Sequence, residues 1–278
     1  MSTETFDADW LALREPVDHR ARPDTLLPLL NDWWSARGAS EVLDLGSGTG
    51  SNLRYLAPKL IGNQSWRLLD HDEDLLARIE APSPPVSVTP LRGDLAVEGL
   101  LEIRTADLVT ASALLDLASE RWISELVEAC SAAGCAALFS LSYDGTIEWS
   151  DTQGTHRSDA HGDDELVRSA VNAHQHGDKG LGSALGPDAA AFAASSYQDM
   201  GYRTWVRSSP WRLGSDDAEL ALALIAGWKG AAEEQRPDRV DQIGAWAHRR
   251  AGSIIDRTVS LTVGHLDLLA LPSESAHR

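Results

Sequence analysis

Gly46, Gly48 and Gly50 stand two residues apart behind an apolar run, Val42-Leu43-Asp44-Leu45, that carries a single acid. Glycine has no Cβ and adopts positive φ without strain, so a turn of this composition lets a ligand approach the main chain closely. The helical pattern from Asn52 to Leu60 would open with unpaired N–H groups, which favour polar or anionic ligand groups. A strand that enters a helix through such a turn is a nucleotide-site candidate at the carboxyl end of a parallel strand. The dinucleotide fingerprint spaces its glycines G-x-G-x-x-G. Here the third glycine comes one residue early, and that fingerprint leaves Asp44 unexplained. A second acid, Asp70, ends the next apolar run, 24 residues beyond Gly46. A carboxylate there can accept hydrogen bonds from both hydroxyls of a ribose.

The segment Val42-Leu43-Asp44-Leu45-Gly46-Ser47-Gly48-Thr49-Gly50 resembles motif I of the class I S-adenosylmethionine-dependent methyltransferases, whose pattern is apolar-apolar-acid-apolar-Gly-x-Gly-x-Gly. Leu68-Leu69-Asp70-His71-Asp72 looks like motif II, Gly93-Asp94-Leu95 like motif III, and the run from Asp107 to Ser112 and on to Asp116 like motif IV. The resemblance covers residues 41–145 closely and 188–270 in outline. It implies a Rossmann-like α/β fold with a seven-stranded, mostly parallel sheet and helices on both faces. It also implies S-adenosyl-L-methionine as cofactor and S-adenosyl-L-homocysteine as product. Asp44, Gly46, Ser47, Gly48 and Gly50 would hold the methionine and ribose side. Asp70 and His71 would meet the ribose, Asp94 and Leu95 the adenine, and Ser112 would lie near the sulfonium. In this family an N-terminal helical cap can bring a basic residue to the methionine carboxylate. Arg20 is the first candidate and Arg14 the second.

Two features depart from the family pattern. No Asn/Asp-Pro-Pro-Tyr tetrapeptide occurs, which argues against amino methylation of nucleobases or glutamine. Asp116 stands where many relatives carry histidine. Three roles are open to it: general base, contact to a polar substrate, or cap of the helix from Leu117 to Cys130.

Around these residues the chain alternates strand and helix five times up to Tyr143, a pattern that specifies a parallel sheet with right-handed crossovers. Residues 1–38 read as a helical cap broken near Pro16 and Pro23, and 39–145 as the cofactor-binding core. Residues 146–187 read as an insertion over the substrate side. Its stretch from Asn172 to Pro187 holds four glycines among 16 residues and is expected as a loop. Asn172, Lys179 and Tyr143 are expected to face the acceptor, Lys179 by binding its carboxylate or phosphate. His174 or His176 could take a proton from a hydroxyl acceptor. These histidines lack a third and fourth metal ligand nearby, so no metal is expected. Residues 188–272 complete the core. There a strand over 260–270 is expected antiparallel between strands 5 and 6, after a helical insertion over about 216–256 that covers the pocket or builds a homodimer surface. Pro272 to Arg278 are expected to fray.

The chain of 278 residues carries a net charge of −18, which disfavours nucleic acid as substrate. No apolar run is long enough to span a bilayer, and the acidic N-terminus is not a secretory signal. Cys130 and Cys135 read as small buried residues. The expectation is a cytoplasmic enzyme that moves a methyl group to oxygen or nitrogen of a small polar, anionic acceptor. The rivals are an NAD-type oxidoreductase and a non-catalytic S-adenosylmethionine-binding protein.

Overall fold

The computed structural model describes residues 7–82, 86–151, 154–155 and 162–273. Two cap helices, α1 (Ala8–Ala21) and α2 (Leu27–Arg37), lead into β1 (Glu41–Leu45), α3 (Ser51–Leu56) and β2 (Gln64–Asp70). Then come α4 (Glu73–Leu76), β3 (Val86–Arg92), α5 (Leu100–Glu102), β4 (Leu108–Ser112) and α6 (Glu120–Ala133). The second half contains β5 (Ala136–Asp151), α7 (Asp163–Gln175), α8 (Ala189–Asp199), β6 (Tyr202–Ser208) and β7 (Trp211–Leu213). It closes with α9 (Ala218–Gln235), α10 (Val240–Ile255) and β8 (Val259–Pro272).

One sheet runs in the order β3-β2-β1-β4-β5-β8-β6. β1 to β5 pair parallel, and β8 slots antiparallel between β5 and β6. That is the Rossmann-like order the motifs imply, with an eighth strand added: β7 pairs with the start of β8. Strand alternation sorts the core into two layers. Leu43 and Leu45 join the layer beneath α6 and α8, with Val109, Phe139, Trp122 and Tyr197. Val42 joins the opposite layer beneath α2 and α3, with Trp34, Leu53, Leu56 and Trp66. Asp44 shares the face of Val42 and therefore points toward α3. The central strands read as continuous apolar runs because both of their faces are covered.

A third apolar cluster lies beyond the carboxyl edge of the sheet. β5 does not end near Tyr143 as expected but continues to Asp151, with register shifts between Phe139 and Ser142 and between Tyr143 and Ile147. Such irregularities bend a strand and re-aim its side chains. The extended ribbon places Ile147 and Trp149 against β7, α7, α9 and α10. Trp149 meets Trp246 edge-on at 6.5 Å, and the Arg250 guanidinium lies 4.4 Å over the Trp149 ring. The apolar positions of the helical pair, Leu220, Ile225, Trp228, Ile243 and Trp246, are buried in this cluster. The pair thus packs on the ribbon.

Other boundaries also differ. α1 runs through Pro16, because ion pairs and burial on both sides offset the lost hydrogen bond. Arg14 meets Asp18 at 2.9 Å, Glu15 meets Arg54 at 2.5 Å, and Val17 is buried. α7 reaches Gln175, so Asn172 and His174 lie on a helix rather than in a loop. Pro272 is the last residue of β8, and residues 274–278 lie outside the described residues. Among the described residues no helix is long and apolar enough to cross a membrane.

Trp246→Ala removes a fully buried ring whose Nε1 donates to Asp164 at 2.8 Å. It is expected to destabilise the fold by roughly 3–5 kcal/mol in urea denaturation, in a single transition. A loss below about 1 kcal/mol would make the α9–α10 pair a detachable appendage.

Candidate functional site

The glycine turn after β1 is tied to the end of β2. The N–H groups of Gly46 and Ser47 both donate to the Leu69 carbonyl, at 2.9 and 3.1 Å. Gly48 N–H donates to Asp70 Oδ2 at 2.8 Å. All three glycines have positive φ, at 64°, 52° and 83°. At Gly48 an added Cβ would also stand 3.1 Å from Leu11, so α1 sits directly on the turn. Asp70 Oδ1 accepts from Asp72 N–H at 3.0 Å and lies 3.3 Å from His71 Nδ1.

A cavity of about 280 Å³ opens along this turn at the carboxyl edge of the sheet. Asp94 and Leu95 line one end, where Asp94 Oδ1 caps the following helical turn by accepting from Ala96 N–H at 2.7 Å. Asp70, His71 and Asp72 line it at the end of β2, and Ser112, Ala113 and Leu114 at the end of β4, on the other side of β1. Ala113 is held at φ 54° by its N–H bond to the Ser140 carbonyl at 2.8 Å, a costly conformation that keeps the β4 loop turned along the cavity. Arg14 and Asp18 of α1 also line it, as do Lys179, Gly180 and Leu181.

In β1, between β2 and β4, Asp44 is buried to 1 % exposure. Its Oδ1 accepts from Asn52 Nδ2 at 2.7 Å. Its Oδ2 has no hydrogen-bond partner among the described residues, and neither has the Ser47 hydroxyl. Both residues line the cavity, and buried polar atoms without a partner are uncommon in folded chains. Burial pushes the Asp44 carboxyl up to about 7, and Asp70 adds to the rise, while the Asn52 amide and Arg22 oppose it. Arg22 is itself buried between α1 and α2. It donates to Asn52 Oδ1 at 2.7 Å and to Ser140 Oγ at 2.6 Å, and its Nε lies 3.7 Å from Asp267 Oδ2. Its guanidinium covers the Tyr55 ring at 4.1 Å.

Asp44, Gly46, Ser47, Gly48, Asp70, His71, Asp94, Leu95, Ser112 and Lys179 all line the one cavity. Gly50 stands just behind it as the cap of α3. Arg20 does not reach it. That residue is on the outer face of α1, 47 % exposed and 2.6 Å from Asp217. Arg14, the second candidate, does line the cavity. Asp116 is buried in the turn Leu115–Leu117 off the cavity wall, and it is not the helix cap, because Ser119 Oγ accepts from Trp122 N–H to start α6.

The acceptor-side candidates divide in the same way. Tyr143 and Asn172 bond to each other at 2.8 Å, Tyr143 donating, and stitch β5 to α7 away from the cavity. His176 contacts the Ala184 carbonyl at 3.3 Å. His174 stands between Glu234 at 3.3 Å and Lys179 Nζ at 3.4 Å, behind the cavity wall. Reading the sequence alone missed Arg22, Asn52, Asp18 and Asp267, and it missed His265, which packs between Trp211 and Tyr143. Burial and the nearby Arg14 hold His265 down at about 3. The available signal was weak: Asn52 is a polar residue on the inward face of α3, and Arg22 precedes Pro23. Among the described residues no group of three His, Cys, Asp or Glu could hold a metal ion.

No protein-family model and no curated protein matches the sequence. Solved structures similar to the chain include a cyclopropane synthase from Mycobacterium tuberculosis, at 12 % identity and TM-score 0.47 over 95 % of this chain and 94 % of that one. Another is an S-adenosylmethionine-dependent methyltransferase from Geobacter sulfurreducens in complex with S-adenosyl-L-homocysteine, at 14 % identity and TM-score 0.41 over 96 % and 99 %. A third is a putative sarcosine dimethylglycine methyltransferase from Galdieria sulphuraria, at 14 % identity and TM-score 0.40 over 93 % and 91 %.

The raised Asp44 carboxyl has a consequence for stability. From pH 4 to about 7 the folded chain holds a proton there that the unfolded chain has released, so this group's contribution to stability falls as pH rises through that window. Asp44→Asn removes the effect. The variant is expected to exceed the parent by about 2–4 kcal/mol in urea melts at pH 8, with a much smaller gap at pH 4.5. Equal or lower stability at pH 8 would mean that the buried carboxylate is not a cost to the fold.

Proposed function

We propose that the protein is an S-adenosylmethionine-dependent methyltransferase acting on a small anionic molecule. The observation that carries this reading is a set of groups on the wall of one cavity: Asp44 of β1 and Ser47 after it, with Asp44 Oδ2 and Ser47 Oγ lacking hydrogen-bond partners among the described residues, Asp70 at the end of the neighbouring β2, and Asp94 and Leu95 after β3 beyond it. An unpartnered buried carboxylate oxygen suits an ammonium. Asp70, fixed by Gly48, suits a ribose diol. Asp94 retains acceptor capacity beyond its bond to Ala96 and suits an exocyclic amino group. Arg14 is the cation available to the methionine carboxylate.

The cofactor supplies a methyl group already activated on a positively charged sulfur. The chain's task is therefore chiefly to align the acceptor with it. Ser112 and Ala113 line the cavity after β4. Lys179 lines it as well, on a strap pinned to the turn before α6 by the Leu185 N–H bond to the Ala118 carbonyl at 2.8 Å. Its ammonium suits a carboxylate or phosphate on the acceptor. None of the three candidate bases, His174, His176 and Asp116, lines the cavity. The reading therefore favours an acceptor atom that needs no deprotonation during transfer, such as a carboxylate oxygen or a neutral amine. The acidic surface supports a small-molecule acceptor over a nucleic acid.

Isothermal calorimetry with S-adenosylmethionine, S-adenosylhomocysteine and NAD tests the assignment. Binding of the first two and not of NAD is expected, with a loss of about 30-fold or more in Asp70→Ala. Binding of NAD alone would replace methyl transfer by hydride chemistry.

A further inference from the structure

Arg22 never reaches the cavity, yet it governs the group that does. A guanidinium has five N–H donors and no acceptor. Its bond to Asn52 at 2.7 Å therefore admits one amide orientation, with the oxygen toward Arg22. The Asn52 NH2 must then face Asp44 Oδ1 at 2.7 Å and Thr110 Oγ1 at 3.1 Å. Thr110 locks the same orientation from the other side. Its hydroxyl proton is committed to the Leu138 carbonyl at 2.7 Å, so toward Asn52 it can only accept. The flipped amide would set NH2 against a guanidinium and oxygen against a carboxylate.

Arg22 is held in turn by Ser140 Oγ and by Asp267, whose Oδ1 accepts from Leu141 N–H at 2.9 Å and Ser209 Oγ at 2.6 Å. The chain of contacts thus runs from β5 and β8, through the cap, to α3 and the end of β1. It leaves Asp44, a residue of the cavity wall, with one oxygen engaged and the other without a hydrogen-bond partner among the described residues. The charged groups facing this chain are Arg22, which favours ionised Asp44, and Asp70, which opposes it. Asp267 and Asp18 face Arg22.

Resting on the reading of the cavity as an S-adenosylmethionine site, we infer that Arg22 is a positioning residue. Through the Asn52 amide it sets the direction and charge of Asp44, and so the affinity for a ligand's ammonium group. Arg22 touches no ligand atom. Its effect falls on the amino-acid end of the ligand and spares the adenosine end.

The test compares two ligands by calorimetry between pH 6 and 8. S-adenosylhomocysteine carries the ammonium, whereas 5′-methylthioadenosine shares its adenosine and thioether but lacks the amino-acid end. Asn52→Asp is the leading variant. It keeps an acceptor for Arg22 but sets a second carboxylate against Asp44. Arg22→Met removes the lock, and Arg22→Lys restores a cation. For the parent protein, S-adenosylhomocysteine affinity should rise about tenfold from pH 6 to 8 as Asp44 ionises. In Asn52→Asp it should fall about tenfold or more at pH 7.5, with the rise displaced to higher pH, while 5′-methylthioadenosine stays within about twofold. Arg22→Met should show the same selective loss, and Arg22→Lys should recover most of it. Equal loss of both ligands would reduce Arg22 and Asn52 to structural supports and overturn the inference. Unchanged S-adenosylhomocysteine affinity in Asn52→Asp would overturn it as well, and if Arg22→Met does not fold, Asn52→Asp decides alone. Failure of the parent protein to bind S-adenosylhomocysteine would instead sink the cofactor reading beneath it.

Discussion

A carboxylate buried without a partner for one of its oxygens is the constraint on which the rest of this structure depends. Asp44 sits on β1, where the flanking apolar residues exclude water, and burial alone would neutralise it. The fold answers with a neutral amide at 2.7 Å and a guanidinium behind that amide. Arg22 cannot be placed there without its own partners, so Ser140, Asp267 and the Tyr55 ring are drawn in. The N-terminal cap, the first core helix and the last strand are thereby joined through one polar chain. A network of this kind is costly when any member is missing: Arg22 is hydrogen-bonded to Asn52 and Ser140 and ion-paired with Asp267 at 3.7 Å.

The same economy shapes the α7 side of the molecule. β5 outruns the sheet, and its two register shifts turn the strand into a ribbon that carries β7 and three helices. That platform supports α7, from which the strap holding Lys179 descends to the cavity. Trp211 of β7 donates to Asp18 at 3.0 Å, and Arg14 covers its ring at 4.9 Å. The helical platform and the cofactor-side cap therefore meet at Arg14 and Asp18, on the cavity wall. Any movement of the platform would be felt at the two residues that close the cavity on that side.

What could be read in advance was what local chemistry dictates. The turn at Gly46–Gly50 needs positive φ at three positions, and only glycine adopts it freely, so the pattern survives in one sequence. Asp70 ends β2 and Asp94 follows β3, strands whose order the alternation of strand and helix sets. The strand over 260–270 was legible from the alternation of Leu261, Val263 and the apolar run Leu268-Leu269-Ala270, even with two helices before it. Less legible was anything decided by distant partners. Arg20 and Arg22 are two residues apart and chemically identical. The first stays on the helix and meets Asp217; the second leaves the helix at φ −68° and ψ 132° and turns inward. The one local difference is Pro23, which biases Arg22 toward the extended region without saying where its side chain goes. The distal half of β5, Asp144 to Asp151, mixes glycine, polar and apolar residues and lacks the run that marked the other strands. His174 read as a loop residue because the glycines that follow it obscured the end of α7 at Gln175.

The most direct test is a crystal structure of the protein with S-adenosylhomocysteine. The ligand's ammonium should lie at about 2.7–3.2 Å from Asp44 Oδ2, its ribose hydroxyls should bond to Asp70, and its adenine should lie beside Asp94 and Leu95. A ligand bound outside this cavity, or lying in it with the amino-acid end turned toward Asp94, would contradict the assignment.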